Sequence, residues 1–359
     1  MNDAETTVMR RSISITILSV LLALGVGATG CLAYYLTDNR HNAAHRVSEK
    51  LVIDTDAGGD DAMAILLALS AWESNDSNFE VIGITCVYGN TYEKNVEINV
   101  LKTLTIANAS KIPVYGGSQK PLISTNFTAG NYFGEDGFGD FPFKDEITAK
   151  VYPKHAAVAL VELAKKYKGE LNILTLGPLT NIAVALALDP DFLRNVKRLY
   201  VMGGAVAGMG NRAPGVEYNF GQDPESNFVT FNSTESIVLY PWETTRNAAI
   251  SREWRNQVLG DLSSKAMNFM NKVEVEILNE IIWKPADVMI TAVMIWPELA
   301  TKKISTRVTP VIDGAARGSV LVSYEDIPTN PNVEIIQEID VEKFKGLLLH
   351  YFSEEMSPQ

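Results

Sequence analysis

Apolar runs of strand length alternate with helical stretches along most of the chain. Residues 51–54, 79–88 and 171–176 form short apolar runs that are typical of buried strands. The stretches 62–72 and 93–108 carry apolar residues at helical spacing. This β–α–β order predicts an α/β fold in which helices cover both faces of a mostly parallel central sheet. The same reasoning assigns strands to 112–115 and 196–202, and helices to 155–168, 181–188, 265–283 and 288–296.

The polar clusters of the sequence follow the strand-like runs. In a parallel sheet, ligands bind outside the carboxyl ends of the strands, so these clusters predict a site at that edge. The loop 124–144 is long and rich in Gly, Asp and Phe, which indicates a lid or rim. No break in composition follows residue 50, and we therefore expect one domain over 51–359.

The charge balance and the cysteines exclude several functional classes. The chain has 359 residues, with 31 Lys plus Arg against 43 Asp plus Glu and a net charge of −12. Such a surface repels phosphates, so we expect no nucleic-acid partner. Cys31 and Cys86 are too few for a disulfide framework, and no Cys/His cluster indicates zinc.

An apolar run at 13–36 stands apart from the rest of the chain. It is about 24 residues long, which suffices to span a bilayer core of about 30 Å. Two arginines precede it and would keep the N-terminus in the cytosol. Small residues at 28–30 also suit signal-peptide cleavage, so a cleaved signal and an uncleaved anchor both stay open. We expect a cytosolic stub and signal or anchor at 1–36, followed by a linker at 37–50.

Either alternative exports the remainder of the chain. The protein is then secreted, or it is a type II single-pass membrane protein whose folded domain is extracellular or lumenal. Four Asn-x-Ser/Thr triplets give weak support for export, since such triplets also arise by chance. They begin at Asn75, Asn108, Asn126 and Asn232.

Four carboxylates lie within eight residues directly after the first strand-like run, in Asp54-Thr-Asp-Ala-Gly-Gly-Asp-Asp61. Their mutual repulsion is costly unless a cation neutralises it. Oxygen ligands favour calcium or magnesium over zinc. The spacing is not that of an EF-hand, and the alternative is a solvated acidic turn that caps the following helix. The sequence therefore predicts a divalent-cation site at the end of this strand.

The acidic run also resembles a known protein family. The segment DTDAGGDDAMAI is similar to the N-terminal signature of the inosine–uridine nucleoside hydrolase family. Further stretches follow in the order that the family has: YGNT at 88–91, LGPLTNIAVAL at 176–186, MGG at 202–204, GN at 210–211, EYNFGQDPES at 217–226 and ADVMITAV at 286–293. The resemblance covers about 51–320, and FGEDGFGDF and PWETT are most similar to its animal, particularly arthropod, branch. It implies a nucleoside hydrolase-like, Rossmann-related fold.

The resemblance implies an activity and a cofactor. The expected reaction is calcium-dependent hydrolysis of the N-glycosidic bond of a ribonucleoside, which releases free base and ribose. Asp56 would ligate calcium and take a proton from the attacking water, while Asp54 would support it from behind. The other ligands would be Asp61, the carbonyl oxygen of Leu176 and Asp287. The family likeness also suggests a homo-oligomer, either a dimer or a tetramer.

A second set of residues would bind the ribose. The resemblance implies Asp60 for the 2′-hydroxyl and places these residues around the sugar: Asn90, Asn211, Glu217, Asn219 and Asp287. Carboxylates near the sugar suit the chemistry, because breaking a ribosyl C–N bond passes through an oxocarbenium-like state. The alternative for the residues at 211–219 is an ordinary loop role, and their spacing ahead of 223–225 favours the functional interpretation.

One position departs from the family pattern. Much of the family has His directly before the last calcium-binding Asp, where it is assigned to protonate the leaving base, and here that residue is Ala286. A purine can be protonated at N7 by solvent or by a relay, which favours inosine, adenosine and guanosine as substrates. Trp283, Trp242, Tyr88 and Phe133 are candidates for stacking on the base, although a structural role is the favoured interpretation for each of them.

Two other functions compete with hydrolysis. The chain could be an extracellular nucleoside- or riboside-binding homologue with weak catalysis, because the leaving-group acid is missing. Its full set of acidic residues argues against a pure binder, which needs no base to activate water. A glycosyltransferase could use Asp54-x-Asp56 as a metal–nucleotide motif. That hypothesis leaves the segments 176–186 and 217–226 unexplained.

Overall fold

The computed structural model describes residues 49–124, 127–233, 236–277, 279–325 and 330–356. The apolar run at 13–36, nearly all of the expected linker and Asn126 lie outside the described residues, so the signal or anchor stays a prediction. Within the described part, no helix combines the length and the apolar character that a bilayer crossing requires.

A nine-stranded sheet forms the centre of the domain. Its strands run in the order β4-β3-β2-β1-β5-β6-β7-β11-β8. All neighbours pair in parallel except β8, which runs antiparallel to β11. The strands are β1 (Glu49–Thr55), β2 (Phe79–Cys86), β3 (Val114–Tyr115), β4 (Val151–Tyr152), β5 (Leu171–Thr175), β6 (Val196–Met202), β7 (Ile237–Tyr240), β8 (Ala300–Thr306) and β11 (Val333–Ile339), and β9 (Val308–Pro310) and β10 (Val320–Val322) form a separate antiparallel pair. The predicted mostly parallel sheet is confirmed.

Helices of varied length connect and cover the strands. They are α1 (Gly59–Glu73), α2 (Glu93–Ile106), α3 (Ala156–Lys166), α4 (Thr180–Leu188), α5 (Phe192–Asn195), α6 (Tyr218–Gln222), α7 (Pro224–Phe231), α8 (Trp242–Ala248), α9 (Arg252–Trp254), α10 (Lys265–Val273), α11 (Ala286–Ile295) and α12 (Val341–Ser353). Helix α1 is buried along nearly its whole length, which follows from its apolar composition on all sides. It packs against α11, and this contact brings the first turns of the two helices together.

The central strand β1 positions the acidic motif. Leu51, Val52 and Ile53 are fully buried between β2 and β5. Burying each such side chain stabilises the fold by about 1.5–3 kcal/mol. The carboxylates that follow are therefore attached to a buried strand at the centre of the sheet.

The helix predicted at 265–283 is wrong in its second half. Helix α10 ends at Val273, and a short 3-10 turn follows at Val275–Ile277. Glu274 between them is buried, and its carboxylate accepts hydrogen bonds from Arg255 Nε (2.7 Å) and Trp283 Nε1 (3.0 Å). Both donors lie outside α10, and the chain leaves the helical path where they hold this side chain.

Candidate active site

A cavity of about 410 Å³ lies at the carboxyl ends of the central strands. Its wall combines acidic, amide and aromatic side chains: Asp60, Asn90, Gly130, Asn131, Tyr132, Phe133, Leu176, Met202, Asn211, Glu217, Tyr218, Asn219, Trp242, Lys284, Ala286 and Asp287. All the residues predicted to bind ribose are in this set. The loop predicted as a rim contributes its segment 130–133.

Three carboxylates converge at one side of the cavity. Asp60, Asp61 and Asp287 each offer an oxygen, and these oxygens lie within 4.8 Å of one another. Asp60 and Asp61 belong to the first turn of α1, and Asp287 belongs to the first turn of α11. Helix N-termini stabilise negative charge, which offsets part of the repulsion. An oxygen-rich group of this kind could hold a metal ion.

Asp61 is held from three directions. Its carboxylate accepts hydrogen bonds from Thr55 Oγ1 (2.5 Å), the backbone N–H of Gly58 (2.9 Å) and the side-chain amide of Asn90 (3.2 Å). The side chain is fully buried and is not part of the cavity wall. These bonds fix its orientation before any ligand binds.

Asp56 is buried as well, but only one of its oxygens is engaged. Oδ2 accepts a hydrogen bond of 2.7 Å from the backbone N–H of Asn90. Oδ1 is buried and has no hydrogen-bond partner among the described residues. Gly89 and Gly177 lie close to this carboxylate. A Cβ atom on Gly89 would lie 2.0 Å from Oδ2, and one on Gly177 would lie 2.9 Å from Oδ1. Leaving a buried oxygen unpaired is costly, and a cation or a water molecule would satisfy it.

Asp54 lies two residues before Asp56, near the end of β1. Its Oδ1 accepts hydrogen bonds from Thr85 Oγ1 (2.5 Å) and from the side-chain amide of Asn181 (2.8 Å). Burial raises the pKa of Asp54 to about 7, although these two hydrogen bonds oppose the shift. This position is consistent with the supporting role expected from the sequence.

The protonation of the cluster depends on its surroundings. Burial raises the pKa of Asp56, Asp60, Asp61 and Asp287 above the ordinary range of a carboxyl group. Repulsion from neighbouring carboxylates adds to the shift at Asp56, Asp60 and Asp287. A bound cation would reverse both effects, since it favours the charged forms.

Glu217 and Asn219 carry structural hydrogen bonds in addition to facing the cavity. The Glu217 carboxylate accepts from the backbone N–H groups of Gly204, Asn219 and Phe220 at 2.9–3.0 Å and so caps α6. The Asn219 side-chain amide donates to the Leu176 carbonyl at 2.6 Å. A carbonyl has two lone pairs, so this oxygen keeps one for a further ligand.

The four aromatic stacking candidates divide into two groups. Trp242 and Phe133 line the cavity, whereas Tyr88 and Trp283 are not among the described residues of its wall. Tyr88 is fully buried and lies edge-on to Phe127, with ring centroids 4.6 Å apart. Trp283 is buried against Glu274. Of the four candidates, Trp242 and Phe133 are therefore the two that lie at the cavity.

The sequence reasoning missed three conspicuous side chains of the cavity wall, which are Tyr132, Tyr218 and Lys284. The Tyr218 hydroxyl donates to the Gly89 carbonyl at 2.8 Å and ties α6 to the loop after β2. Lys284 lies two residues before Ala286. Because Ala286 is the position that departs from the family pattern, a nearby Lys could have been identified as a candidate from the sequence.

Comparisons with known proteins identify the family of this chain. The family model described as inosine-uridine preferring nucleoside hydrolase matches residues 51–346. A relative named "Probable uridine nucleosidase 1" from Oryza sativa subsp. japonica is 39% identical over 190 residues, which cover 53% of this chain and 57% of the relative. The "Pyrimidine-specific ribonucleoside hydrolase RihB" of Escherichia coli (strain SE11) is 33% identical over 236 residues, or 63% of this chain and 72% of the relative.

A solved structure extends the comparison to nearly a whole protein. The "Inosine-Guanosine Nucleoside Hydrolase (IG-NH)" superposes with a TM-score of 0.77 at 28% sequence identity, covering 85% of this chain and 99% of that one. The fold is thus that of a nucleoside hydrolase. Family model, relatives and structure converge, and the chain belongs to the inosine–uridine preferring nucleoside hydrolase family, a family of N-glycosyl hydrolases.

Proposed function

We propose that this protein hydrolyses the N-glycosidic bond of ribonucleosides and that it depends on calcium. The observation that carries the proposal is the convergence of Asp60, Asp61 and Asp287 beside a cavity of about 410 Å³. Next to them is a buried Asp56, one oxygen of which has no hydrogen-bond partner among the described residues. A cavity of that size accommodates a small molecule. A binding site alone would not require so many buried acids.

The donor set suits calcium. Asp56, Asp61, Asp287 and the carbonyl oxygen of Leu176 would hold the ion, and every one of them supplies oxygen. The unpaired oxygen of Asp56 fits this assignment, since a cation would satisfy it. Calcium bound there would supply positive charge that lowers the pKa of a water molecule and orients the ribose diol.

The side chains of the site would carry the remaining steps. Asp56 would take the proton from the attacking water, because it is a buried carboxylate with one oxygen that has no hydrogen-bond partner among the described residues. Asp60, Asn90 and Asn219 would hold the ribose hydroxyls. The surrounding carboxylates would stabilise the positive charge that develops on the sugar as the C–N bond breaks.

Purine nucleosides are the proposed substrates. Ala286 offers no proton to a leaving base, and a purine accepts one at N7 from another source. Trp242 and Phe133 provide flat surfaces for a bicyclic base. The similar structure is named for inosine and guanosine, whereas the similar E. coli protein is named for pyrimidines, so family membership leaves the choice to the site.

One observation favours a second candidate function. Ala286 removes the acid expected in much of the family, and a chain without a substitute would bind nucleosides and turn them over slowly. Hydrolysis and binding differ in a simple measurement, because only hydrolysis releases ribose. The same assay therefore separates the two candidates.

The test uses the purified full-length chain with inosine, adenosine, guanosine and uridine in turn. Free base and ribose are followed by chromatography after treatment with a calcium chelator and after calcium is restored. Chelator-sensitive release from the three purine nucleosides, at least about tenfold faster than from uridine, is expected. Release that survives the chelator would refute calcium dependence, and faster release from uridine would refute the purine preference.

Location and assembly are also proposed. The apolar run at 13–36 supports an exported domain, either secreted or anchored with the catalytic part extracellular or lumenal. Asn75 is exposed in a turn, which would let it accept a sugar. A loss of mass on treatment with a glycosidase specific for Asn-linked sugars would support export. Light scattering would test the expected dimer or tetramer.

A further inference from the structure

We propose that Lys284 is the leaving-group acid of this site and that Glu280 positions it; this inference rests on the proposed hydrolysis. Lys284 would take the role that Ala286 cannot perform. A leaving purine needs a proton at the base end of the cavity. The neighbouring acids cannot supply it, because they act on the sugar.

Lys284 occupies a suitable place in the cavity. Its side chain lines the same wall as Asp60 and Asp287. Its Nζ lies 6.0 Å from the ring centroid of Trp242, so a base stacked on that ring would come near the ammonium group. Among the cavity-lining residues in the described part of the chain, Lys284 is the only cation. Ala286 lies in the same cavity wall.

Among the described residues, one carboxylate oxygen forms an ion pair with Lys284. Lys284 Nζ lies 3.2 Å from Oε2 of Glu280. The same oxygen accepts a hydrogen bond of 2.7 Å from the Tyr132 hydroxyl. Arg252 Nη2 is 3.8 Å from it on another side. Glu280 thus joins two side chains of the cavity wall that come from separate segments of the chain.

The hydrogen bonds select Lys284 over the nearby tyrosines. The Tyr132 hydroxyl donates its proton to Glu280, and the Tyr218 hydroxyl donates to the Gly89 carbonyl. Each hydroxyl has one proton and has committed it. An ammonium group has three, and one contact with Glu280 leaves two for a ligand.

The proton and electron balance is complete. As the C1′–N9 bond breaks, its electron pair stays on the purine, and N7 becomes more basic. The Lys284 ammonium gives a proton to N7, while the oxygen of the attacking water bonds to C1′ and its proton passes to Asp56. Lys284 then regains a proton from solvent, to which its side chain is 29% exposed, and Asp56 releases its proton to solvent, so that one water molecule is consumed in each turnover.

The test compares two leaving groups. Inosine needs a proton on its departing base, whereas 4-nitrophenyl β-D-ribofuranoside releases a phenolate that leaves without one. Lys284→Met removes the ammonium and keeps the apolar stem. We expect kcat for inosine to fall by about 10²–10⁴-fold, the usual contribution of a general acid. We expect the nitrophenyl riboside rate to stay within about threefold of the wild type, which also shows that the variant folds.

A matched control is Lys302→Met, since Lys302 pairs with Glu338 at 3.3 Å on the exposed edge of the sheet. It should leave both rates unchanged. Glu280→Gln should lower the inosine rate and spare the nitrophenyl riboside, because a positioning residue acts through Lys284. Equal losses on both substrates, or an unchanged inosine rate in Lys284→Met, would overturn the inference. A wild-type chain that cleaves neither substrate would instead refute the proposed hydrolysis.

Discussion

The backbone N–H of Asn90 donates a 2.7 Å hydrogen bond to Oδ2 of Asp56, and Oδ1 of the same carboxylate is buried without a partner among the described residues. Oδ2 is therefore fixed by this hydrogen bond, and Oδ1 is left to bind a cation or to accept a proton. The loop after β2 that supplies this N–H is itself tied down by Tyr218. The orientation of the proposed base is thus set by the backbone of the loop that follows the neighbouring strand β2.

Replacing the proposed base should abolish turnover. Asp56→Asn keeps the shape of the side chain and removes its ability to take a proton, so we expect kcat for inosine to fall by about 10³-fold or more. Chromatographic rates measured with calcium present would show this. The matched control is Asp191→Asn, which removes an exposed carboxylate paired with Arg194 at 2.7 Å. A rate within tenfold of the wild type for Asp56→Asn would contradict the assigned role.

Adding one methyl group beside Asp56 should also lower kcat. A Cβ on residue 89 would lie 2.0 Å from Asp56 Oδ2, so Gly89→Ala must displace that carboxylate. We expect loss of about 10²-fold or more in kcat, because small displacements of catalytic groups are costly. Gly346→Ala is the control, since its Cβ meets nothing within 4 Å and lies in a helix. It should keep full activity and raise stability by about 0.5–1 kcal/mol. An active Gly89→Ala enzyme would show that the contact is not restrictive.

Asp60 should distinguish ribose from deoxyribose. A deoxy sugar would leave its carboxylate unpaired, so we expect inosine to be preferred over 2′-deoxyinosine by about 10²-fold or more in kcat/KM. Asp60→Ala should narrow that ratio at least tenfold, whatever its effect on the absolute rates. Asp54→Asn changes a carboxylate behind the site and should leave the ratio intact. An unchanged ratio in Asp60→Ala would show that another residue reads the 2′-hydroxyl.

The metal-free protein should lose stability as the pH rises. The pKa of Asp54 is about 7 in the folded chain because of burial, well above its unfolded value, so the folded state binds this proton more tightly. Its contribution is greatest near pH 4 and is lost as the pH rises through about 7. The loss is on the order of 4 kcal/mol for a shift of this size. The raised pKa values of Asp56 and Asp287 act in the same direction.

Thermal unfolding of protein freed of divalent cations, followed from pH 4.5 to pH 7.5, measures this effect. We expect Tm to fall across that interval and calcium to restore it mostly at the upper end. Asp54→Asn removes one of the titrating groups and should reduce the slope. A Tm that rises with pH in the metal-free protein would show that the cluster is already charged when folded.

Much of the site was predictable because its residues follow strands. The carboxylates of the acidic motif come directly after β1, and Asn90 and Leu176 follow the neighbouring β2 and β5. Parallel strands deliver such residues to one edge of the sheet. Asp287 is different, because it lies far along the chain and reaches the cluster only through the packing of α11 on α1. Only the family resemblance, and no local pattern, could place it.

Other features depend on contacts that no sequence period encodes. The chain turns after Val273 because Arg255 and Trp283 donate hydrogen bonds to the Glu274 carboxylate. These residues are separated in sequence. Glu280 contacts both Lys284 and Tyr132, so it joins the segment 280–284 to the distant loop that carries Tyr132. The sequence pattern also predicted no strand after residue 202, although β7, β11 and β8 continue the sheet past β6. Side-chain networks and sheet edges are set by tertiary packing.

The most direct measurement is the number of turnovers that the full-length chain completes on inosine in phosphate-free buffer with calcium. Hypoxanthine and ribose are quantified together over time. The account predicts equal amounts of both products, far in excess of the enzyme, with water as the only co-substrate. Binding of inosine without release of ribose would contradict it and would leave a nucleoside-binding protein with the fold of a hydrolase.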